Sequence, residues 1–174
     1  MVGRVVVGVD GSPGSLEALR FALAQARLLA ATLMPVLAWQ MPGGELASRR
    51  TPSHTYAQTV RELSEGQLLR AFDEGLGGLP DDIPIESWVV RGEVGPALVQ
   101  AANRRSDLLV IGAGRRGRLR HAIHGTTARY CLAHATCPVI AVPPPTLQDQ
   151  LPTARRRKLT IDQLVDDLTR AHPG

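Results

Sequence analysis

Five short apolar runs alternate with longer stretches of mixed polar and apolar residues along this chain. The runs cover residues 4–9, 33–39, 84–91, 107–112 and 138–142. Their length and their branched apolar residues are typical of β-strands, although residues 84–91 indicate a strand by alternating apolar and polar positions. Residues 107–112 are expected to form the clearest buried strand. In the second run, Pro35 predicts an edge strand or a bulge, because proline cannot donate a hydrogen bond to a neighbouring strand.

The segments between these runs carry apolar residues at helical spacing, which predicts helices. The first helix is predicted to begin after Ser12, which suits the N-cap, with Pro13 in its first position. Further helices are predicted over residues 56–77, 94–105 and 125–135. The expected buried face of the first helix consists of Leu16, Leu19, Leu23, Ala26 and Ala30. The expected buried face of the second consists of Tyr56, Val60, Leu63, Leu69, Phe72 and Leu76.

The alternation of strands and helices predicts right-handed crossover connections. The fold class that follows is α/β: an open five-stranded parallel sheet with helices on both faces, which is Rossmann-like. We expect one domain over residues 1–145 and an extension over residues 146–174. The extension contains a basic linker at 155–158, and Thr160 and Gln163 then match a capping box, which predicts a short C-terminal helix.

Composition and charge exclude some functions. The chain has 174 residues and a formal net charge of +4, with arginine clusters at 115–120 and 155–158 that suit anions. Aromatic residues make up only 3% of the chain, which argues against stacking platforms for single-stranded nucleic acid. No motif that recognises DNA or RNA is evident, so non-specific nucleic-acid binding ranks below the functions considered next.

Cysteine usage and hydropathy predict an intracellular protein. Cys131 and Cys137 form neither a disulfide framework nor a metal motif, so we expect buried free thiols. No apolar run approaches the length of a membrane span, and the N-terminal residues do not match a signal peptide. We therefore expect a soluble, cytoplasmic protein with no membrane partner.

The candidate ligand residues follow two of the predicted strands. They are Asp10 after the first strand, then Gly112, Gly114, Arg115 and Gly117 after the fourth, and Gly125, Thr126 and Thr127 at the next helix start. In an open α/β sheet these strand ends lie at the edge where ligands bind. Glycines let backbone amides approach phosphate oxygens closely, and a helix N-terminus adds N–H donors and partial positive charge. The pattern predicts a site for an anionic group, with Asp10 available for ribose hydroxyls or a phosphate-bound metal ion.

Several known site types are excluded by the sequence. Residues 112–117 fit G-x-G-x-x-G, but the dinucleotide fingerprint opens the first helix and needs an acidic residue about 20 positions later, where Leu132 stands. The phosphate loop G-x-x-x-x-G-K-[ST] is absent. Neither a Ser-His-Asp set nor paired carboxylates can be placed, and His121 and His124 have no evident third metal ligand. We assign no catalytic residue, and catalysis is expected to be slow or absent.

Three stretches of the sequence resemble the universal stress protein family. They are VVVGVDGS at 5–12, VLAW at 36–39, and the block 107–142, which begins DLLVIG and ends AHATCPVIAV. The resemblance covers about residues 3–143. It implies a fold like that of the adenine nucleotide alpha-hydrolases, a regulatory role in the stress response, and a homodimer joined through the last strand. It also implies ATP as the ligand, with or without Mg²⁺, and at most slow hydrolysis of it.

The resemblance includes one departure at the phosphate loop. ATP-binding members of the family carry G-x-x-G-x9-G-[ST], which Gly112 and the pair Gly125-Thr126 match, but Arg115 replaces the middle glycine. Arg115 either blocks the close approach that glycine allows or brings a guanidinium onto a phosphate. The resemblance also makes Asp10 the family's acidic residue and the backbone near Ala38 its adenine contact.

Two functions therefore stay open from the sequence. The first is a dimeric regulatory protein that binds an adenine nucleotide. The second is a dimeric stress or interaction module that binds no nucleotide, and the arginine in the phosphate loop favours it.

Overall fold

The computed structural model describes residues 3–41, 54–113 and 124–144, which form five strands and four helices. The strands are β1 (Arg4–Gly8), β2 (Thr32–Trp39), β3 (Trp88–Arg91), β4 (Asp107–Gly112) and β5 (Val139–Val142). The helices are α1 (Pro13–Leu29), α2 (His54–Leu76), α3 (Val94–Ala101) and α4 (His124–His134). The predicted order of elements is confirmed, although β3 and α3 are shorter than expected.

The five strands form one parallel sheet in the order β3-β2-β1-β4-β5. Helices α1 and α2 cover one face through residues such as Leu19 and Phe72. Helices α3 and α4 cover the other face through residues such as Leu98 and Cys131. The predicted α/β fold is confirmed. The strand order reverses between β1 and β4, which is where open α/β sheets form their ligand crevice.

Pro35 lies in an interior strand, so the prediction of an edge strand or a bulge is wrong. β2 pairs with β1 in continuous register on one side. On the other side a single bridge joins Leu33 to Ile85, and the regular ladder with β3 resumes only at Val36. Leu33 directs its N–H to this side, onto the carbonyl of Pro84, and Pro35 faces the same way two residues later. The missing N–H of Pro35 therefore falls in an interruption of the ladder and removes no hydrogen bond.

The buried faces of α1 and α2 differ in part from the prediction. In α1, Ala18 and Ala22 are buried, whereas Ala30 is exposed at the C-cap, with a left-handed φ of 50°. In α2, Leu68 and Phe72 are buried, but three residues expected to be buried are exposed. They are Tyr56 (47%), Leu63 (64%) and Leu69 (63%). The helix packs on the sheet along one stripe only, and its sequence places apolar residues outside that stripe as well.

A buried ion pair holds the amino-terminal edge of the sheet. Arg4 of β1 and Asp107 of β4 are in register, and Nε and Nη2 of Arg4 donate to the Asp107 carboxylate over 3.0 and 2.7 Å. Arg4 also donates to the carbonyl of Ala101 and to Oδ1 of Asn103. The backbone N–H of Arg104 donates to Asp107. The hydrogen bond to Asp107 raises the pKa of the Arg4 guanidinium above its ordinary value.

Both cysteines are free thiols in the interior, which confirms the prediction. Cys131 of α4 has no exposed surface, and Cys137 before β5 is 8% exposed. Burial raises the pKa of the Cys131 thiol to about 11 and also raises the pKa of Cys137. Both thiols are therefore protonated and shielded near neutral pH.

Two sequence predictions concern residues outside the described ranges. They are the glycine-arginine loop after β4, of which 114–123 is not described, and the extension at 146–174. Within residues 3–41, 54–113 and 124–144, no helix combines the length and the apolar character that a membrane crossing requires.

Candidate functional site

The turn between β1 and α1 places Asp10 at the carboxyl-terminal edge of the sheet. The chain leaves the sheet through Gly11, whose φ of +74° is a left-handed conformation that favours glycine. The N–H of Ser12 donates to Oδ1 of Asp10 over 2.9 Å, which closes an Asx turn. Ser12 then caps α1 by accepting from the N–H of Ser15, and Pro13 opens the helix, as predicted. Local sequence therefore accounts for this turn.

Two further hydrogen bonds hold Asp10, and one comes from a distant helix. The N–H of Asp10 donates to Oγ of Ser15 over 3.3 Å. Its carbonyl oxygen accepts from Nε2 of Gln67 in α2 over 2.8 Å. Gln67 also borders Gly11, where a Cβ would lie 3.3 Å from Nε2. Gln67 is not among the predicted site residues, and since it lies 57 positions from Asp10, no local pattern indicates the contact.

β4 ends against the first turn of α1. A Cβ on Gly112 would lie 3.0 Å from the carbonyl oxygen of Gly14 and 3.4 Å from the backbone nitrogen of Ser15. Glycine is therefore needed for the two backbones to approach this closely. Gly112 therefore has a packing role at the carboxyl end of β4.

The backbone of Ala38 faces the β1 side of β2. The carbonyl of Val36 accepts from the N–H of Val9 on the β1 side, whereas the carbonyl of Trp39 accepts from the N–H of Gly92 on the β3 side. Because peptide directions alternate along a strand, Ala38 directs its N–H and C=O to the same side as Val36. The register between β1 and β2 ends at Val36, so the peptide of Ala38 lies at the rim of the sheet.

Helix α4 begins at the same edge. β4 and β5 are parallel, so the chain must return between them, and α4 starts near the carboxyl end of β4. Its first turn contains the backbone of Gly125, Thr126 and Thr127, and the side chain of Thr127 is half-buried. The other three predicted residues, Gly114, Arg115 and Gly117, lie outside the described ranges.

The described part of the predicted site therefore spans three neighbouring strands. Asp10, Ala38 and Gly112 lie at the carboxyl ends of β1, β2 and β4, which are adjacent in the sheet. The N-termini of α1 and α4 add backbone N–H groups that suit an anionic ligand. In the three described ranges, no three His, Cys, Asp or Glu side chains are grouped so that they could hold a metal ion by themselves.

Trp39 adds a buried polar atom next to Ala38. Its side chain packs with the α2 face of the core, and its Nε1 has no hydrogen-bond partner in the part of the chain that the structure describes. The guanidinium of Arg91, its register partner in β3, lies 5.7 Å from the centroid of the indole ring. This is a cation–π geometry.

The parallel sheet, whose strand order reverses between β1 and β4, defines a Rossmann-like α/β protein. A model described as the universal stress protein family matches residues 1–143. The chain therefore belongs to the universal stress protein family, as the sequence predicts.

Comparison with known proteins agrees with this assignment. The universal stress protein Rv2624c of Mycobacterium tuberculosis is 30% identical over 137 residues, which are 78% of this chain and 46% of that protein. A universal stress protein A-like protein of Arabidopsis thaliana is 34% identical over 58 residues, which are 33% of each chain. The chain spans less than half the length of each of these curated relatives.

Solved structures share the fold. The universal stress protein UspA from Lactobacillus plantarum is 18% identical, with a TM-score of 0.59 over 80% of this chain and 97% of that one. A universal stress protein in complex with cAMP is 23% identical, with a TM-score of 0.51 over 80% of this chain and 95% of that one. At these identities the likeness shows the fold alone.

Proposed function

We propose that this protein binds an adenine nucleotide in the crevice between the carboxyl ends of β1 and β4. The proposed ligand is ATP, with or without Mg²⁺, and the proposed role is regulatory, in the stress response of the cytoplasm. The observation that carries the proposal is the position of Asp10 and the α1 N-terminus where the strand order reverses, beside the closely packed end of β4. Family membership and the cAMP complex of a protein with this fold also support an adenine ligand.

In the proposed complex, the adenine, the ribose and the phosphates contact different parts of the carboxyl-terminal edge of the sheet. The backbone of Ala38 would contact adenine, and the exposed carboxylate of Asp10 would contact ribose hydroxyls or Mg²⁺. Backbone amides near Gly112 and in the first turn of α4 would hold phosphate oxygens. The remaining residues proposed for the phosphates are Gly114, Arg115, Gly117, Gly125, Thr126 and Thr127.

Isothermal titration of the full chain with ATP and Mg²⁺ tests this proposal. Binding is expected for the wild type and should be lost in Gly125→Arg, because a long side chain would occupy the start of α4. Gly66→Arg is a matched control, since it adds the same charge at a position in α2 with no atom within 4 Å of a new Cβ. In a Trp88→Phe background, which leaves Trp39 as the remaining tryptophan, nucleotide should change the fluorescence in the otherwise wild-type chain and in the control, but not in Gly125→Arg. Absence of binding to the wild type would refute the proposal.

The alternative function, a module that binds no nucleotide, rests on Arg115 in place of the family's glycine. Arg115→Gly distinguishes the two. If the arginine blocks the site, the wild type binds no ATP and the variant gains binding. If the guanidinium contacts a phosphate, the wild type binds and the variant binds more weakly, with the loss greatest for ATP and least for adenosine.

We also propose that the protein acts as a homodimer that pairs through β5. In the described sheet β5 lies at an edge, next to β4 only. The carbonyls of Pro138 and Val142 accept hydrogen bonds from the β4 side, so the alternating peptides of Val139 and Ala141 point away from β4. A second copy could use this row of donors and acceptors to extend the sheet.

A further inference from the structure

Asp10 makes three hydrogen bonds, through its backbone N–H, its backbone carbonyl and its side-chain carboxylate. Ser12 and Ser15, which bond its carboxylate and its N–H, belong to the same turn. Gln67 is different, because it reaches the carbonyl of Asp10 from α2 and lies 57 residues away. Of these three contacts, only that of Gln67 ties the turn to another element of the fold.

Only one assignment of donor and acceptor is possible for the hydrogen bond between Gln67 and Asp10. A carbonyl oxygen only accepts, so the side-chain amide of Gln67 must present its NH₂ group, and the N–O distance of 2.8 Å fits a good hydrogen bond. The next peptide is constrained too. Gly11 has a φ of +74°, and a Cβ there would lie 3.3 Å from the same Nε2. Gln67 therefore limits both the rotation of the Asp10 peptide and the space beside Gly11.

Packing of α2 does not depend on this amide. Leu68, Ala71 and Phe72 are buried against the sheet, whereas Gln67 is only half-buried at the rim. A substitution that keeps the size and the helix propensity of Gln67 should therefore leave the helix in place.

We propose that Gln67 is a positioning residue for the nucleotide site, which orients Asp10 toward the ligand by holding its peptide. The inference rests on the proposed function, since it concerns the same site. It further implies that α2 and the nucleotide are energetically coupled through this one hydrogen bond.

The test is a double-mutant cycle on the full chain, with ATP and Mg²⁺ as the probe and affinity as the readout. Gln67→Met removes the donor at similar volume and should weaken binding about three- to tenfold, the range for loss of one hydrogen bond. In the Asp10→Ala background the same substitution should change affinity less than about twofold, because the residue it positions is gone. Gln67→Glu, which sets a carboxylate against the carbonyl, should weaken binding more than Gln67→Met.

Gln58→Met is the matched control, because Gln58 is an exposed amide on the same helix that donates to Glu62 over 3.0 Å and lies outside the site. It should leave affinity unchanged, and all variants should melt close to the wild type. Wild-type affinity in Gln67→Met overturns the inference, and so does an equal loss with and without Asp10. If the wild type itself binds no ATP, the proposed function fails and the inference fails with it. If the wild type binds ATP but Gln67→Met binds equally well, only the inference about Gln67 fails.

Discussion

Gly112 and Gly14 meet where β4 and α1 come together, and a Cβ on Gly112 would lie 3.0 Å from the carbonyl oxygen of Gly14. Because the contacting atom belongs to the backbone, it cannot move away by a side-chain rotation as a flexible side chain could. The first glycine of the family pattern is thus required by packing between a strand end and a helix start. The proposed phosphate site would therefore use a glycine that the fold already needs.

Gly112→Ala is expected to destabilise the protein by about 1–3 kcal/mol, the usual effect of overpacking a tight contact. Gly66→Ala is the control, because Gly66 lies inside α2 with open space around a new Cβ. That change should be neutral or stabilise by about 0.5–1 kcal/mol, since alanine favours helix. Urea unfolding of both variants measures the difference. Equal stability of Gly112→Ala and wild type would show that β4 and α1 can separate freely.

Asp107→Asn should destabilise the chain strongly, because it leaves the buried guanidinium of Arg4 without its counter-charge. Breaking a buried ion pair by removing one partner typically costs about 3–5 kcal/mol. Asp82→Asn is the comparison, since it breaks the exposed pair between Asp82 and Arg27, and exposed pairs contribute little. Thermal melts should show a large decrease for Asp107→Asn only. Similar melting of the two variants would contradict the structural role given to the buried pair.

Stability should decrease as pH rises from about 9 toward 11 because of Cys131. Its thiol has a pKa of about 11 in the folded chain and an ordinary value of 9.0, so the unfolded chain loses the proton first. The folded state then binds more protons, and the free energy of unfolding falls with pH in that window. Cys131→Ala removes this contribution and should give a shallower slope, whatever its own effect on stability.

The comparison of slopes isolates the thiol, because the other groups that titrate in this range are common to both proteins. Chemical labelling gives an independent check. Both thiols should react with a disulfide reagent slowly in the native state and fully in urea, since both are buried. Identical slopes, or rapid native labelling of Cys131, would contradict the interior position of this thiol.

Ala141→Pro should prevent dimer formation through β5 without unfolding the protomer. The peptide of Ala141 points away from β4, so proline would remove a donor at the free edge and keep the ladder between β4 and β5. Ala141→Val is the control, because it retains the N–H and suits a strand. Light scattering after size exclusion should give a monomer for Ala141→Pro and a dimer for the control. A dimeric proline variant would exclude this mode of pairing.

Local patterns were sufficient for the elements and for part of the site. Short apolar runs, an alternating segment and helical periodicity predicted the five strands and four helices of the described ranges in their observed order. The Ser12 cap, Pro13 and the position of Asp10 after β1 were also predictable, because a turn of this kind uses neighbouring residues only. The same holds for the buried cysteines, whose spacing fits no disulfide or metal motif.

Tertiary structure decided the features that depend on partners distant in sequence. Pro35 is tolerated inside the sheet because the ladder between β2 and β3 is interrupted at that level. The sequence of β2 alone does not reveal this interruption. The exposure of Leu63 and Leu69 depends on which stripe of α2 meets the sheet. The contact of Gln67 with Asp10 requires α2 to lie over the β1–α1 turn. Sequence alone thus determined the elements, since local backbone preferences form them, whereas packing of distant segments determined which residues meet at the crevice.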